Sequence, residues 1–411
     1  MKAQPFSSLT ALAVVACGLA PTTARADEEL APLTVTGGPG KGTTFTSNDQ
    51  RFSLNLRGRL QLRNTLAHPT GSATNDELGV RTARVILAGN TFDPHLEYFV
   101  QLAVAASDFE KEYQTSSPLF DAWVEYTGVR DANVRAGQLL VPFDRARTVR
   151  ELALTLVDRS QVVNELSLDR DAGVVISSSD LGGLDHLLAY QVGVFGGDGK
   201  NRVGAVDAGL LYVARLTLRP LGAFDDDVQG DLLRHADPKL AVGGGVAYND
   251  NTRRQRSTTG SLLTLGGVSY VHAAADAVFK WRGLYFLGEY LYRAARTEQH
   301  SGAGANMMPL TEYARSGSGY VLEAGTLVTG AFEVNARFGQ LFAKTSGDPA
   351  RATDPALVKL VQEGGRELGG GLAYYLNGHA LKVMGDYHVY FGDGGASRPR
   401  HLVRLAVDAS F

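Results

Sequence analysis

Cysteine is almost absent from the 411-residue chain: the single one, Cys17, sits in an apolar stretch near the start. Downstream of that stretch no disulfide can form, and cysteine-based catalysis and metal sites are excluded. Charge of one sign is lacking too. The formal net charge is −3, so no global basic field points to nucleic acid. Long apolar runs are missing after the first one, so no later stretch reads as a membrane helix, which needs ~20 apolar residues. Motifs of catalysis are equally scarce. His388 and Asp386 share one face of an alternating stretch, but nothing supplies a nucleophile motif. Gly196-Gly197-Asp198-Gly199-Lys200-Asn201 has the look of a phosphate or calcium loop. It lacks the following helix and the carboxylate spacing, and reads as a turn. No enzyme activity, metal or cofactor is expected.

The N-terminus carries Lys2, an apolar run over 9–20, and Ala24-Arg25-Ala26. A positive start, a short apolar core and an A-x-A site describe a secretory signal peptide, residues 1–26, cut after Ala26. Val14-Val15-Ala16-Cys17 is a loose lipoprotein box. Cleavage there would shorten the core and leave Ala24-Arg25-Ala26 unexplained. Residues 27–50 are rich in Gly, Thr and Pro and read as a flexible leader. Residues 51–411 read as one domain.

That domain is organised around its last stretch. From His401 to Phe411 the residues alternate, with Val403, Leu405, Val407, Ala409 and Phe411 on one side and Arg404 and Asp408 on the other. A period of two is the signature of a strand. Ser53 to Leu66 repeats it: Leu54, Leu56, Leu60 and Leu62 oppose Asn55, Arg57, Arg59, Gln61 and Arg63. So do Leu284, Phe286, Tyr290 and Tyr292 against Tyr285, Glu289 and Arg293. An even set of such stretches, about 16, runs from 52–66 to 400–411, joined by alternately short and long connections. The expectation is an all-β fold: a transmembrane antiparallel up-and-down β-barrel with lipid outside and a wet lumen within. One connection breaks the pattern. Leu218 to Pro238 falls on the short-turn side yet is long, and carries Asp225-Asp226-Asp227.

Residues 141–169 form the third external loop. Val149, Leu152, Leu156, Val163 and Leu166 have helical spacing, and this apolar content is poorly suited to water. Folding the loop into the lumen would bury them and bring Arg145, Arg147 and Arg150 to the narrowest point. Inward Arg57, Arg59, Arg63 and Arg84 would stand opposite as a ladder. Arg135 and Arg170 join these candidates, and charge rings at a constriction select ions. The competing arrangement is carboxylate pairing of the Arg57, Arg59, Arg63 and Arg84 ladder across the lumen, for example with Asp121 or Glu125, which would leave a polar pore with no strong preference.

The ordered motifs resemble the phosphate-selective porin O and P family. They include Arg57-Gly58-Arg59-Leu60, Phe120-Asp121-Ala122-Trp123-Val124, Arg135-Ala136-Gly137-Gln138-Leu139 with Val141-Pro142-Phe143, and Arg170-Asp171-Ala172-Gly173. Trp281-Arg282-Gly283-Leu284 with Gly288-Glu289-Tyr290, and Tyr374-Tyr375-Leu376-Asn377-Gly378-His379, extend them. The resemblance implies an outer-membrane porin passing small anionic solutes, built as a homotrimer of 16-stranded barrels embedded in outer-membrane lipid. Terminal Phe411 resembles the signal read by the barrel-assembly machinery. Where the family has Lys after its G-Q-F pattern, this chain has Leu140. A weak-to-moderate anion preference is therefore expected, not tight phosphate capture. For Leu140 to face the lumen, the strand needs a bulge near Gly137. The competing readings are a non-selective or non-conducting structural or receptor barrel, and an outer-membrane hydrolase.

Overall fold

The computed structural model describes residues 33–69, 73–109, 117–202, 209–304, 307–344, 365–392 and 399–411. The signal-peptide reading of 1–26, Cys17 and most of the seventh long connection, 345–364, lie outside the described residues. Sixteen antiparallel strands close on themselves. In chain order they are β1 Ser53–Pro69, β2 Asn75–Thr91, β3 Asp93–Ala103, β4 Leu119–Tyr126, β5 Asn133–Leu140 and β6 Arg170–Ser178. Next come β7 Leu188–Phe195, β8 Leu211–Leu218, β9 Lys239–Thr252, β10 Val268–Trp281 and β11 Leu284–Ala295. Then follow β12 Ser316–Leu327, β13 Phe332–Lys344, β14 Arg366–Asn377, β15 Leu381–Phe391 and β16 Arg400–Ser410. Each pairs with its sequence neighbours, and β16 closes the ring on β1, from Arg400 opposite Pro69 to Ser410 opposite Arg59.

The alternation in the sequence becomes two opposed surfaces. On β11, Leu284, Phe286, Tyr290 and Tyr292 are exposed, while Tyr285, Leu287, Glu289, Leu291 and Arg293 are buried. Leu56, Leu60, Leu62 and Leu66 on β1, and Val403, Leu405 and Val407 on β16, are likewise exposed. Apolar groups on the outside and charged groups on the inside invert the soluble pattern, and lipid is the solvent that makes this favourable.

The described part of the leader, residues 33–50, contains regular structure. Thr34–Gly38 and Gly42–Thr46 form a hairpin. Its second arm pairs with the start of β1, Thr43 opposite Leu56 to Thr46 opposite Ser53. It occupies the edge that β16 leaves open below Ser410, so the β1 backbone groups there stay bonded. Between the two arrivals, Phe411 N–H donates to Gly58 O and Gly58 N–H donates to Phe411 O. The Phe411 ring lies where a side chain at residue 58 would stand, 2.4 Å from the position of a Cβ. A side chain at residue 58 would have to displace the exposed Phe411 ring from this seam.

Candidate functional site: a partitioned lumen

Val141-Pro142-Phe143 turns the chain from β5 against the inward faces of the far wall. Val141 and Phe143 are buried with Val162, Val163, Leu166 and Leu168, against Val213, Leu287, Leu291, Val321 and Leu341 of the strands. The sequence spacing suggests a helical loop; the structure breaks it into α1 Arg145–Thr148, a 3-10 turn Glu151–Ala153 and α2 Gln161–Leu166. The reason lies in the wall. Arg145 N–H and Ala146 N–H donate to the Glu289 carboxylate, Val157 N–H to Asp386, and Gln161 N–H to Glu367. Lys382 donates from Nζ to the Leu152 and Leu154 carbonyls. Charged wall groups thus replace the bonds a continuous helix would make to itself. Val149, Leu156, Val163 and Leu166 are buried as the spacing implies, whereas Leu152 is half-buried.

The loop arginines part company. Arg145 is 2% exposed and is held by Asp276 at 2.5 Å and Asp226 at 2.7 Å. Its charge is neutralised in the core, which corrects the expectation that it stands at the narrowest point. Arg147 bonds Asp169 at 2.6 Å. Arg150 is exposed, 3.7 Å from Asp225. On the strands, Arg135 pairs with Glu125 at 2.7 Å and Arg170 with Asp121 at 2.9 Å, so these two acids are taken up by arginines of nearby strands rather than by the Arg57, Arg59, Arg63 and Arg84 ladder across the lumen. Arg84 pairs with Asp108. Arg57 leaves its Nε without a hydrogen bond.

Two wall arginines reach across to the loop. Arg59 contacts Glu151 at 3.1 Å as well as Asp408 at 2.7 Å, and Arg63 contacts Asp158 at 3.0 Å. Between them remains a gap of about 20 Å³, lined by Arg59, Gln61, Arg63, Arg81, Glu151 and Asp158 among others. Burial raises the Glu151 carboxyl, but the Arg59 and Arg159 guanidinium charges outweigh it and hold it well below the usual carboxylate range. Asp169 follows the same logic: burial raises it, and Arg147 and Arg170 bring it below its usual value. Arg159 is lowered to about 10 by burial first and by Arg147 second. At the loop entry, burial pushes Asp144 up to about 6, although its side chain caps α1 by accepting from Arg147 N–H.

The loop leaves a chamber on each side. The upper one, about 230 Å³, is lined by Arg81, Arg84, Arg147, Arg159, Lys200 and Arg256, with Asp108, Glu151, Asp158 and Asp169 among them. The guanidinium carbons of Arg170 and Arg84 lie 3.8 Å and 4.3 Å from the Phe120 ring centre, and the Lys200 Nζ lies 4.9 Å away. The lower chamber, about 420 Å³, is lined by Glu125, Arg135, Leu140, Arg145, Arg215 and Asp226, with neutral Asn133, Ser177, Ser178 and Gln191. Leu140 lines this chamber, but the bulge expected near Gly137 is not formed: β5 pairs without a register shift from Asn133 to Leu140, and Gly137 departs only in its φ of +139°.

Sequence reading passes over Arg81 and Arg256, and names Lys200 and Asp226 only as parts of a turn and of the long connection. Arg81 is an extra residue in β2: Gln61 opposes Thr82 but Leu62 opposes Val80, so a bulge turns Arg81 inward. Lys200 and Arg256 come from loops, where alternation gives no direction. His388 lies 3.4 Å from Asp386 and 3.0 Å from Glu367, fully buried in the wall, where those acids hold Arg404 and Arg337.

No protein-family model matches the chain, and no curated protein matches it. Solved structures do. OmpF of Salmonella typhi, solved with daunomycin, is 14% identical, with 88% of this chain and 98% of that one covered and a TM-score of 0.55. The anion-selective porin of Comamonas acidovorans is 13% identical over 87% of this chain and 99% of its own, with a TM-score of 0.52. The outer-membrane channel DcaP of Acinetobacter baumannii is 13% identical over 87% and 97%, also at 0.52. At such identities the likeness concerns the backbone, and it establishes the fold: a closed sixteen-stranded barrel of the kind found in bacterial outer-membrane porins.

Proposed function

We propose that this chain is an outer-membrane porin that passes small solutes passively, with a weak-to-moderate preference for anions. The observation that carries the reading is the lumen itself: two chambers lined by ionised groups flank an anchored inward loop inside an apolar belt. Cations outnumber acids around the upper chamber, and low-dielectric walls focus their field on a passing ion. The acids beside Arg135, Arg147 and Arg170 keep the preference modest. Membership of the phosphate-selective porin family, a homotrimeric assembly and export through a cleaved signal peptide belong to the same proposal, on the sequence motifs given above. A hydrolytic role finds no support in the wall: the one His–Asp pair singled out from the sequence is buried among structural ion pairs.

The test is a planar bilayer with a salt gradient. Stepwise conductance with a reversal potential on the anion side supports the reading; a cation-side potential refutes the selectivity. The rival, a barrel that conducts nothing, draws on the bridging of the Arg59–Glu151 and Arg63–Asp158 gap. Reconstituted protein that inserts and shows no steps would establish it.

A further inference from the structure

We infer that the long turn 219–238 is a second jaw of the permeation path and determines its ion preference through Asp225 and Asp227. The inference rests on the porin reading and adds a determinant from the opposite end of the barrel. The turn joins β8 to β9 at the end away from the 141–169 loop, yet it folds upward until the two meet. Gln229 makes the joint. Its N–H donates to Ala153 O at 3.0 Å, its Oε1 accepts from Thr155 N–H at 3.0 Å, and its Nε2 donates to Glu323 at 2.7 Å. Val228 packs on Val149, Ala153 and Leu154 of the loop. Lys280 of the wall donates to the Asp225 and Val228 carbonyls.

This mounting divides three consecutive acids. Asp226 is drawn into the core between Arg145 and Arg219. Asp225 and Asp227 keep 57% and 60% of their side chains exposed, 3.7 Å from Arg150 and 3.9 Å from Arg145. Asp227 lines the lower chamber. An ion that has crossed the basic upper chamber therefore meets the exposed Asp227 carboxylate on the lower one, with the exposed Asp225 beside Arg150 on the same turn. Fixed charge of opposite sign at the two ends of a narrow lumen opposes the anion preference and makes the current depend on the sign of the voltage.

The experiment uses the full-length protein in a planar bilayer. Asp225→Asn with Asp227→Asn should move the reversal potential toward anions, with the anion-to-cation permeability ratio rising about two- to threefold for each carboxylate that faces the path, the screened Coulomb effect of one charge at the radius of a narrow pore. Rectification should weaken. Independently, Asp225→Cys introduces a thiol into a chain whose one native cysteine is Cys17. A negatively charged methanethiosulfonate should then lower the current through open channels and leave wild type unaffected. Should the Asn pair fail to assemble, the thiol result decides. Conducting wild type with an unchanged Asn reversal potential, or an unreactive Asp225→Cys, overturns the second jaw. A wild type that never conducts overturns the porin reading instead.

Discussion

Glu151 is the loop acid on which the constriction turns. Its carboxylate faces Arg59 at 3.1 Å and Arg159 at 3.5 Å. Glu151→Gln removes one negative charge from the gap and keeps the side chain's size. Both arginines retain other partners: Arg59 keeps Asp408, and Arg159 keeps the Ala146 and Val149 carbonyls. The fold should tolerate the change. A unit charge about 7 Å from a passing ion acts with about 0.6 kcal/mol in water, or about threefold in relative permeability. That distance is close to the ~8 Å Debye length at physiological salt, so screening leaves roughly 40% of this energy; because the charge acts with opposite sign on anions and cations, their permeability ratio still changes about two- to threefold. The reversal potential in a salt gradient should move toward anions by that ratio, and unitary conductance should rise because a cross-lumen bridge is gone. The acid's protonation supplies a second reading. Its folded pKa lies well below the usual value, so the Arg59 pair is fully present above ~4.3, the unfolded value, and is lost only as pH falls through the depressed one. Wild-type selectivity attributable to Glu151 should stay flat from pH 7 down to about 5. An unmoved reversal potential in Glu151→Gln, or one moved toward cations, would show that ions do not pass this gap.

How far the sequence foretold this arrangement depends on how each residue's direction is set. Strand residues announce theirs. Glu289 and Arg293 alternate with Leu284, Phe286, Tyr290 and Tyr292, and they are buried against the exposed partners. A lipid-facing side and a wet side leave no second register. Loop residues have no such rule. Arg145, Arg147 and Arg150 look alike in sequence, yet one lies in the core, one against Asp169 and one in the open. The fate of Arg145 is fixed by Asp276 of the wall, 131 positions away, and Asp226 of the long turn, 81 positions away, which no local spacing reveals. The misfit of Leu218 to Pro238 was itself informative: a turn too long for its side of the barrel had somewhere to go. Arg81 shows the limit within strands, since one bulge reverses the face of the residue that causes it.

Three further outcomes follow from the same geometry. Neutralising Arg147 and Arg150 together to Gln should move the reversal potential toward cations; because Arg145 is already neutralised by Asp226 and Asp276, it contributes nothing to that shift. Deleting Phe411 should lower the yield of assembled barrel, read as heat-modifiable migration, while surviving channels conduct normally: the lost ring covers Gly58 at the seam, far in sequence and function from the loop. Leu140→Lys tests the lower chamber. Leu140 opposes Arg170 across β5 and β6 and lines the chamber with Arg135, Arg145 and Asp226. A flexible ammonium there adds a cation to a chamber whose Glu125 and Asp226 are already paired, so only the exposed Asp227 offsets part of its charge. The anion-to-cation ratio should rise about threefold, and phosphate added to the bath should block current more strongly than in wild type. If phosphate block is unchanged while the reversal potential moves, the chamber passes anions without binding them, and the missing lysine is not what limits phosphate capture.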